Sequence, residues 1–166
     1  MVQLNFMEGN TMIFIYGGVY QGKLDYVKRE YNVKDEEIYT CKGQMDWESP
    51  EDALELLSLA KTIHRLEKGG KTVKVINHLE NFTFAIAEQL QEVGQTQIQS
   101  SVDYFEKNLD IFRDKIIIME DVSMGIVPID KVQRIWREEN GRLASKIAQN
   151  SEQVIRVFCG LAQRLK

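Results

Sequence analysis

An unbroken apolar run, Met12-Ile-Phe-Ile-Tyr16, stops at Gly17-Gly18 and continues as Val19-Tyr20-Gln21-Gly22-Lys23-Leu24. A short apolar run bounded by glycine reads as a buried strand of a parallel sheet. The glycines and Lys23 match G-x-x-x-x-G-K, the P-loop that joins a strand to a helix. Backbone N–H groups of such a loop, with the start of the helix behind it, cradle phosphate oxygens without needing particular side chains. The whole stretch Gly17 to Leu24 is therefore the expected phosphate contact. Lys23 brings a point charge to the outer phosphates and is the first candidate for a catalytic role.

The rest of the pattern alternates strand and helix. A helix is expected from about Gly22 to Tyr31, a strand over Glu37–Cys41, and a helix opening at Ser49-Pro50-Glu51-Asp52 and running to Gly69-Gly70. That opening has a hydroxyl cap, proline at the first position and acids in the first turn. Lys71–Leu79 reads as a strand, and residues 82–93 and 96–113 as two helices. Ile116-Ile-Ile-Met119 is the clearest strand, Asp130 caps a long helix to about Asn150, and Val154–Cys159 closes as the last strand. Val2–Phe6 alternates apolar and polar and is a candidate edge strand. The expected fold is α/β, three-layered, with a mostly parallel sheet and helices on both faces. Residues 12–166 are expected to form one domain.

Composition narrows the class. At 166 residues, 43% apolar and 28% charged, the chain has the profile of a globular domain with a real core. A net charge of −4 argues against nucleic acid as partner. Two cysteines, Cys41 and Cys159, make no disulfide framework and suit a reducing cytoplasm. No stretch approaches the ~20 apolar residues of a membrane helix, and the first residues lack the features of a signal peptide.

Leu24 stands where an active P-loop carries Ser or Thr, whose hydroxyl ligates the Mg2+ that neutralises charge on the transferred phosphoryl group. Leucine cannot ligate a metal, and Asp25 points about 100° away on the helix. The loop is expected to hold phosphate and to place Mg2+ poorly, and no metal ligand is assigned from the sequence.

A second signal is Glu120-Asp121-Val122-Ser123-Met124-Gly125-Ile126-Val127-Pro128, at the carboxyl end of the clearest strand, where open α/β sheets build ligand sites. Asp121 and Ser123 are expected to face the phosphate loop across a crevice. Read with Arg134, Trp136-Arg137-Glu138, Gly141-Arg142 and the terminal strand, this stretch resembles one family, the bifunctional adenosylcobinamide kinase / adenosylcobinamide-phosphate guanylyltransferases of cobalamin biosynthesis. The family pattern is close to N-E-V-G-x-G-I-V-P, then A-R-x-F-R-D-x-x-G-R-x-N, then V-x-x-V-x-x-G. The likeness also takes in the first strand and glycine pair, and it is poor in the middle of the chain. Members of the family begin at about Met12, which implies that residues 1–11 are an extension. It implies a small P-loop α/β fold, ATP or GTP as nucleotide, a corrinoid as second substrate, a homotrimer, and two reactions: phosphorylation of the adenosylcobinamide hydroxyl and transfer of GMP through a guanylylated histidine.

Three departures from the family point the same way. Leu24 replaces the hydroxyl. In Val73-Lys-Val-Ile-Asn77-His78-Leu79, Asn77 stands where the family has an acid that helps hold Mg2+, and a neutral amide is a poor ligand for a hard cation. The guanylylated histidine belongs to a stretch that here is Cys41–Ser49, which has none. Of the two histidines present, His64 reads as a helix surface residue. His78 and its neighbours Asn77 and Glu80 sit at a strand end within reach of the nucleotide. Asp121, in the place of the family's Glu, is a candidate catalytic acid, and Ser123 replaces a Gly. Arg134, Glu138 and Arg142 read as an i, i+4 ion-pair ladder, and Ile135 and Trp136 as core. The expected function is that of a divergent nucleotide-binding member with guanylyl transfer lost and kinase activity weakened. The alternative is a non-catalytic binding or assembly protein unrelated to cobalamin.

Overall fold

A computed structural model describes residues 11–93 and 99–166. The candidate edge strand at Val2–Phe6, most of the extension, and the first turn of the helix expected from residue 96 lie outside these.

The elements in order are β1 (Ile13–Gly17), α1 (Lys23–Tyr31), β2 (Ile38–Thr40), α2 (Pro50–Leu57), α3 (Leu59–Lys68), β3 (Val75–Asn77), α4 (Glu80–Val93), α5 (Ser101–Lys107), α6 (Leu109–Phe112), β4 (Ile116–Glu120), α7 (Lys131–Asn150), β5 (Gln153–Phe158) and β6 (Leu161–Arg164). The sheet runs β2-β3-β4-β1-β5-β6, parallel except for the last pair. β1 lies between β4 and β5, with Gly17 opposite Glu120 in register. The phosphate loop and the loop after β4 therefore leave the same edge of the sheet side by side.

Because side chains alternate along a strand, each central strand feeds two cores. Phe14, Ile76, Ile117, Met119 and Val154 face one side, where Leu59 and Ile63 of α3, Phe82 and Ile86 of α4, Phe105, Phe112 and Leu143 of α7 close over them. Ile13, Ile15, Val75, Ile116, Ile118 and Ile155 face the other, covered by Val27 of α1. This is the expected three-layer α/β fold, unevenly loaded.

Several boundaries differ from the sequence reading. The helix expected from Ser49 to Gly69 is broken at Ser58, because the Ala60 N–H donates to the Tyr104 hydroxyl at 2.8 Å rather than to the helix ladder. The helix expected to reach Arg113 is broken at Asn108, whose side-chain amide takes the Tyr104 carbonyl. Only Val75–Asn77 of the strand expected over 71–79 is regular. β5 is not the last strand: the chain reverses at Cys159-Gly160, both with positive φ, and β6 pairs antiparallel to it. Two residues with positive φ make the tight hairpin turn whose twist suits paired strands. Asp130 caps α7 as expected, accepting the Gln133 N–H at 2.9 Å.

Candidate functional site

Local geometry fixes the phosphate loop. A Cβ on Gly17 would lie 2.3 Å from the Val157 carbonyl oxygen, so only glycine lets β1 end this close to β5. Gly22 sits at φ 81, a left-handed conformation that favours glycine, and turns the chain into α1. The β5–β6 turn braces the loop from the side: the Cys159 N–H donates to Gln21 Oε1 at 2.5 Å and the Gly160 N–H to the Gln21 carbonyl at 3.0 Å. The first N–H groups of α1 lack intrahelical acceptors and carry the positive end of the helix dipole.

Lys23 is 5% exposed. Its Nζ donates to the Gly18 carbonyl at 2.6 Å and to Glu120 Oε1 at 3.4 Å, spanning the loop and the tip of β4. Beyond it, His78 leaves β3 at φ 57 and brings Nδ1 within 2.6 Å of Glu80 Oε1 and 3.8 Å of Glu120 Oε1. The bond to Glu80 holds the His78 pKa above its ordinary value despite partial burial, helped by the charge of Glu120. Glu80, 3% exposed, also accepts the Glu120 N–H at 3.0 Å.

These residues stand around a cleft of about 1000 Å3, at the top of the range of small-molecule sites. The phosphate loop forms one wall and the segment from Thr40 to Asp46 another, and Phe84 of α4 and Trp136 of α7 supply an apolar end, their rings edge to face at 5.2 Å.

Of the sequence candidates, the loop residues Val19 to Leu24, Asn77, His78 and Glu80 line the cleft; Gly17, Gly18, Asp121 and Ser123 do not. For Asp121 the physical reason is alternation past the strand end: Glu120 points into the cleft, so Asp121 points away. The Asp121 carboxylate accepts from the Ser123 hydroxyl and N–H and from Tyr16. Trp136, expected in the core, is half-buried and lines the cleft, and its Nε1–H donates to the Glu80 carbonyl at 2.9 Å and to Thr83 Oγ1 at 3.1 Å. His64 is exposed on α3. The expected ladder is half present: Glu138 pairs with Arg142, while Arg134 donates to the Pro128 and Ile129 carbonyls. Arg137 donates to the Ser123 and Ile126 carbonyls, so α7 straps down the loop after β4.

Two residues escaped the sequence reading. Glu120 bonds Lys23. Asn140, fully buried, donates to the Glu120 carbonyl at 3.0 Å and accepts the Thr83 hydroxyl at 3.1 Å. The available signal was a polar residue on the apolar stripe of a helix, since 136, 140, 143 and 147 share one face of α7.

The Mg2+ implied by the resemblance does not fit the residues at its usual place. Leu24 offers no oxygen and packs toward Val27 and the core beneath the sheet. Asn77 turns its amide nitrogen toward Thr40 Oγ1 at 3.4 Å.

A strand-loop-helix phosphate cradle at the carboxyl edge of a parallel sheet defines a P-loop NTPase-like α/β protein. The chain belongs to the cobinamide kinase / cobinamide phosphate guanyltransferase family, whose model matches residues 42–165. The match takes in the ends of β3 and β4 and all of α7, while the phosphate loop lies ahead of it. A comparison with curated proteins gives no match. No helix among the described residues is long and apolar enough to cross a membrane.

Proposed function

We propose that the protein binds the phosphates of GTP or ATP in this cleft, and that both family reactions have been lost or reduced to traces. The observation that carries the reading is Lys23, buried between the loop carbonyl of Gly18 and Glu120. The loop supplies N–H donors and Lys23 the charge, so phosphate binding needs no other side chain. The apolar end at Phe84 and Trp136 leaves room for a flat ring beyond the phosphates. Family membership supports a nucleotide as the ligand.

Leu24 lacks the hydroxyl, and Asn77 offers only a neutral amide in place of the carboxylate, that hold Mg2+ against the transferred group, and that charge neutralisation is most of phosphoryl-transfer catalysis. Cys41–Ser49 offers no histidine to accept GMP. The double variant Leu24→Ser/Asn77→Asp tests the reading: Mg2+-dependent nucleotide turnover should appear in the variant and be absent from the parent. Strong Mg2+-dependent turnover in the unaltered chain would sink it.

A further inference from the structure

Within the cleft, His78, Glu80 and Glu120 each offer one ligand atom, and the three atoms lie within 4.8 Å of one another. We propose that these residues bind one first-row transition-metal dication, of which Mn2+ is the probe, beside the phosphate loop; this rests on the nucleotide reading above for its role, though not for its existence.

The donor set argues for the ion class. One imidazole nitrogen with two carboxylate oxygens suits Mn2+, Fe2+ or Zn2+, whereas Mg2+ favours an all-oxygen shell and keeps several waters. At metal–ligand bonds of about 2.1 Å, neighbouring ligands of one ion stand about 3 Å apart. His78 Nδ1 is 2.6 Å from Glu80 Oε1 and 3.8 Å from Glu120 Oε1, and all three ligand atoms lie within 4.8 Å of one another, so small side-chain rotations bring them onto one face of an ion. The remaining coordination positions would open into the cleft, where water or phosphate oxygen can fill them.

Charge and support favour the same conclusion. Two carboxylates converge here against the single ammonium of Lys23, so with His78 as a neutral ligand the cluster carries a net negative charge that attracts a cation. The backbones of both glutamates are already held. The Trp136 indole bonds the Glu80 carbonyl, Asn140 bonds the Glu120 carbonyl, and the spare Glu80 oxygen takes the Glu120 N–H. Such outer bonds fix ligands before the ion arrives and are worth 10–100-fold in metal affinity (roughly) where they have been removed. The competing account is a closed chain of ion pairs, Lys23–Glu120–His78–Glu80, that needs no metal.

The two separate by titrating Mn2+ into chelator-treated full-length protein without nucleotide, followed by the loss of the free-ion electron paramagnetic resonance signal. One saturable Mn2+ per chain is expected, weakened at least about 10-fold by His78→Gln and by Glu120→Gln, with circular dichroism confirming that each variant folds. Competition by Zn2+ and indifference to excess Mg2+ are expected as well. Absence of saturable binding, or binding unchanged in both folded variants, would overturn the proposal. GTP titrated into the same protein without metal reports on the nucleotide reading separately. Mn2+ bound without nucleotide affinity would leave the metal site and remove its role.

Discussion

The indole N–H of Trp136 donates to the Glu80 carbonyl at 2.9 Å, tying the middle of α7 to the first residue of α4 directly beneath the cleft. The same N–H reaches Thr83 Oγ1, and Thr83 in turn donates to Asn140, so one buried polar chain holds the ends of β3 and β4 in register. Trp136→Phe keeps most of the packing and removes the donor. A loss of about 1–2 kcal/mol is expected in urea denaturation, with weakened nucleotide binding. An unchanged midpoint would mean that the chain of bonds does not position the site.

Gly17 ends β1 hard against the Val157 backbone of β5. Gly17→Ala places a methyl 2.3 Å from the Val157 carbonyl oxygen, which belongs to backbone and cannot swing aside. A destabilisation of about 1–3 kcal/mol is expected from overpacking, together with a displaced phosphate loop. Gly18→Ala meets only the flexible Gln21 side chain, at 3.6 Å, and serves as the mild control. Equal thermal midpoints for the two variants would contradict the geometry.

Asp121 does structural work in the acid range. Burial alone would raise its carboxyl pKa, but hydrogen bonds from Ser123 and Tyr16, with the charge of Arg156, outweigh it and hold the group below its ordinary value. A carboxylate depressed by folding stabilises the protein above its unfolded pKa, ~3.9 for Asp, and loses that contribution as pH falls through the folded value. Asp121→Asn should therefore lower the thermal midpoint at pH 7 and cost progressively less as pH drops below about 4. A penalty that stays constant across that window would show that charge is not the cause.

The two thiols should differ sharply. Cys41 is buried at the end of β2, and desolvation, reinforced by Glu80 and Glu55, pushes its pKa far up, while Cys159 is exposed on the β5–β6 turn. Thiol reactivity follows thiolate fraction and access. One fast-reacting thiol is expected in the native protein and the second only after unfolding in guanidinium; two fast native thiols would contradict the burial of Cys41.

How much of this was legible depended on whether the cause was local. The strand-loop-helix turn from Gly17 to Lys23, the Asp130 cap and the strand at Ile116 follow from neighbouring residues, and all three form as read. The break at Ser58 has its cause at Tyr104, 44 residues along the chain from the Ala60 N–H that it accepts, and no local pattern announces it. β6 was missed because Leu161–Arg164 is exposed at all four positions and so carries no alternation, and its turn uses a cysteine at positive φ where Asn or Gly would have been the signal. Family resemblance pointed to Asp121, while the side-chain parity of β4 turns Glu120 toward the cleft.

The most direct measurement is calorimetric titration of GTP and ATP into the protein, with and without Mg2+, beside Lys23→Ala. Binding that is indifferent to Mg2+ and lost in Lys23→Ala is the expected result. Failure of both nucleotides to bind, or affinity unchanged by removing Lys23, would contradict a phosphate site at this loop.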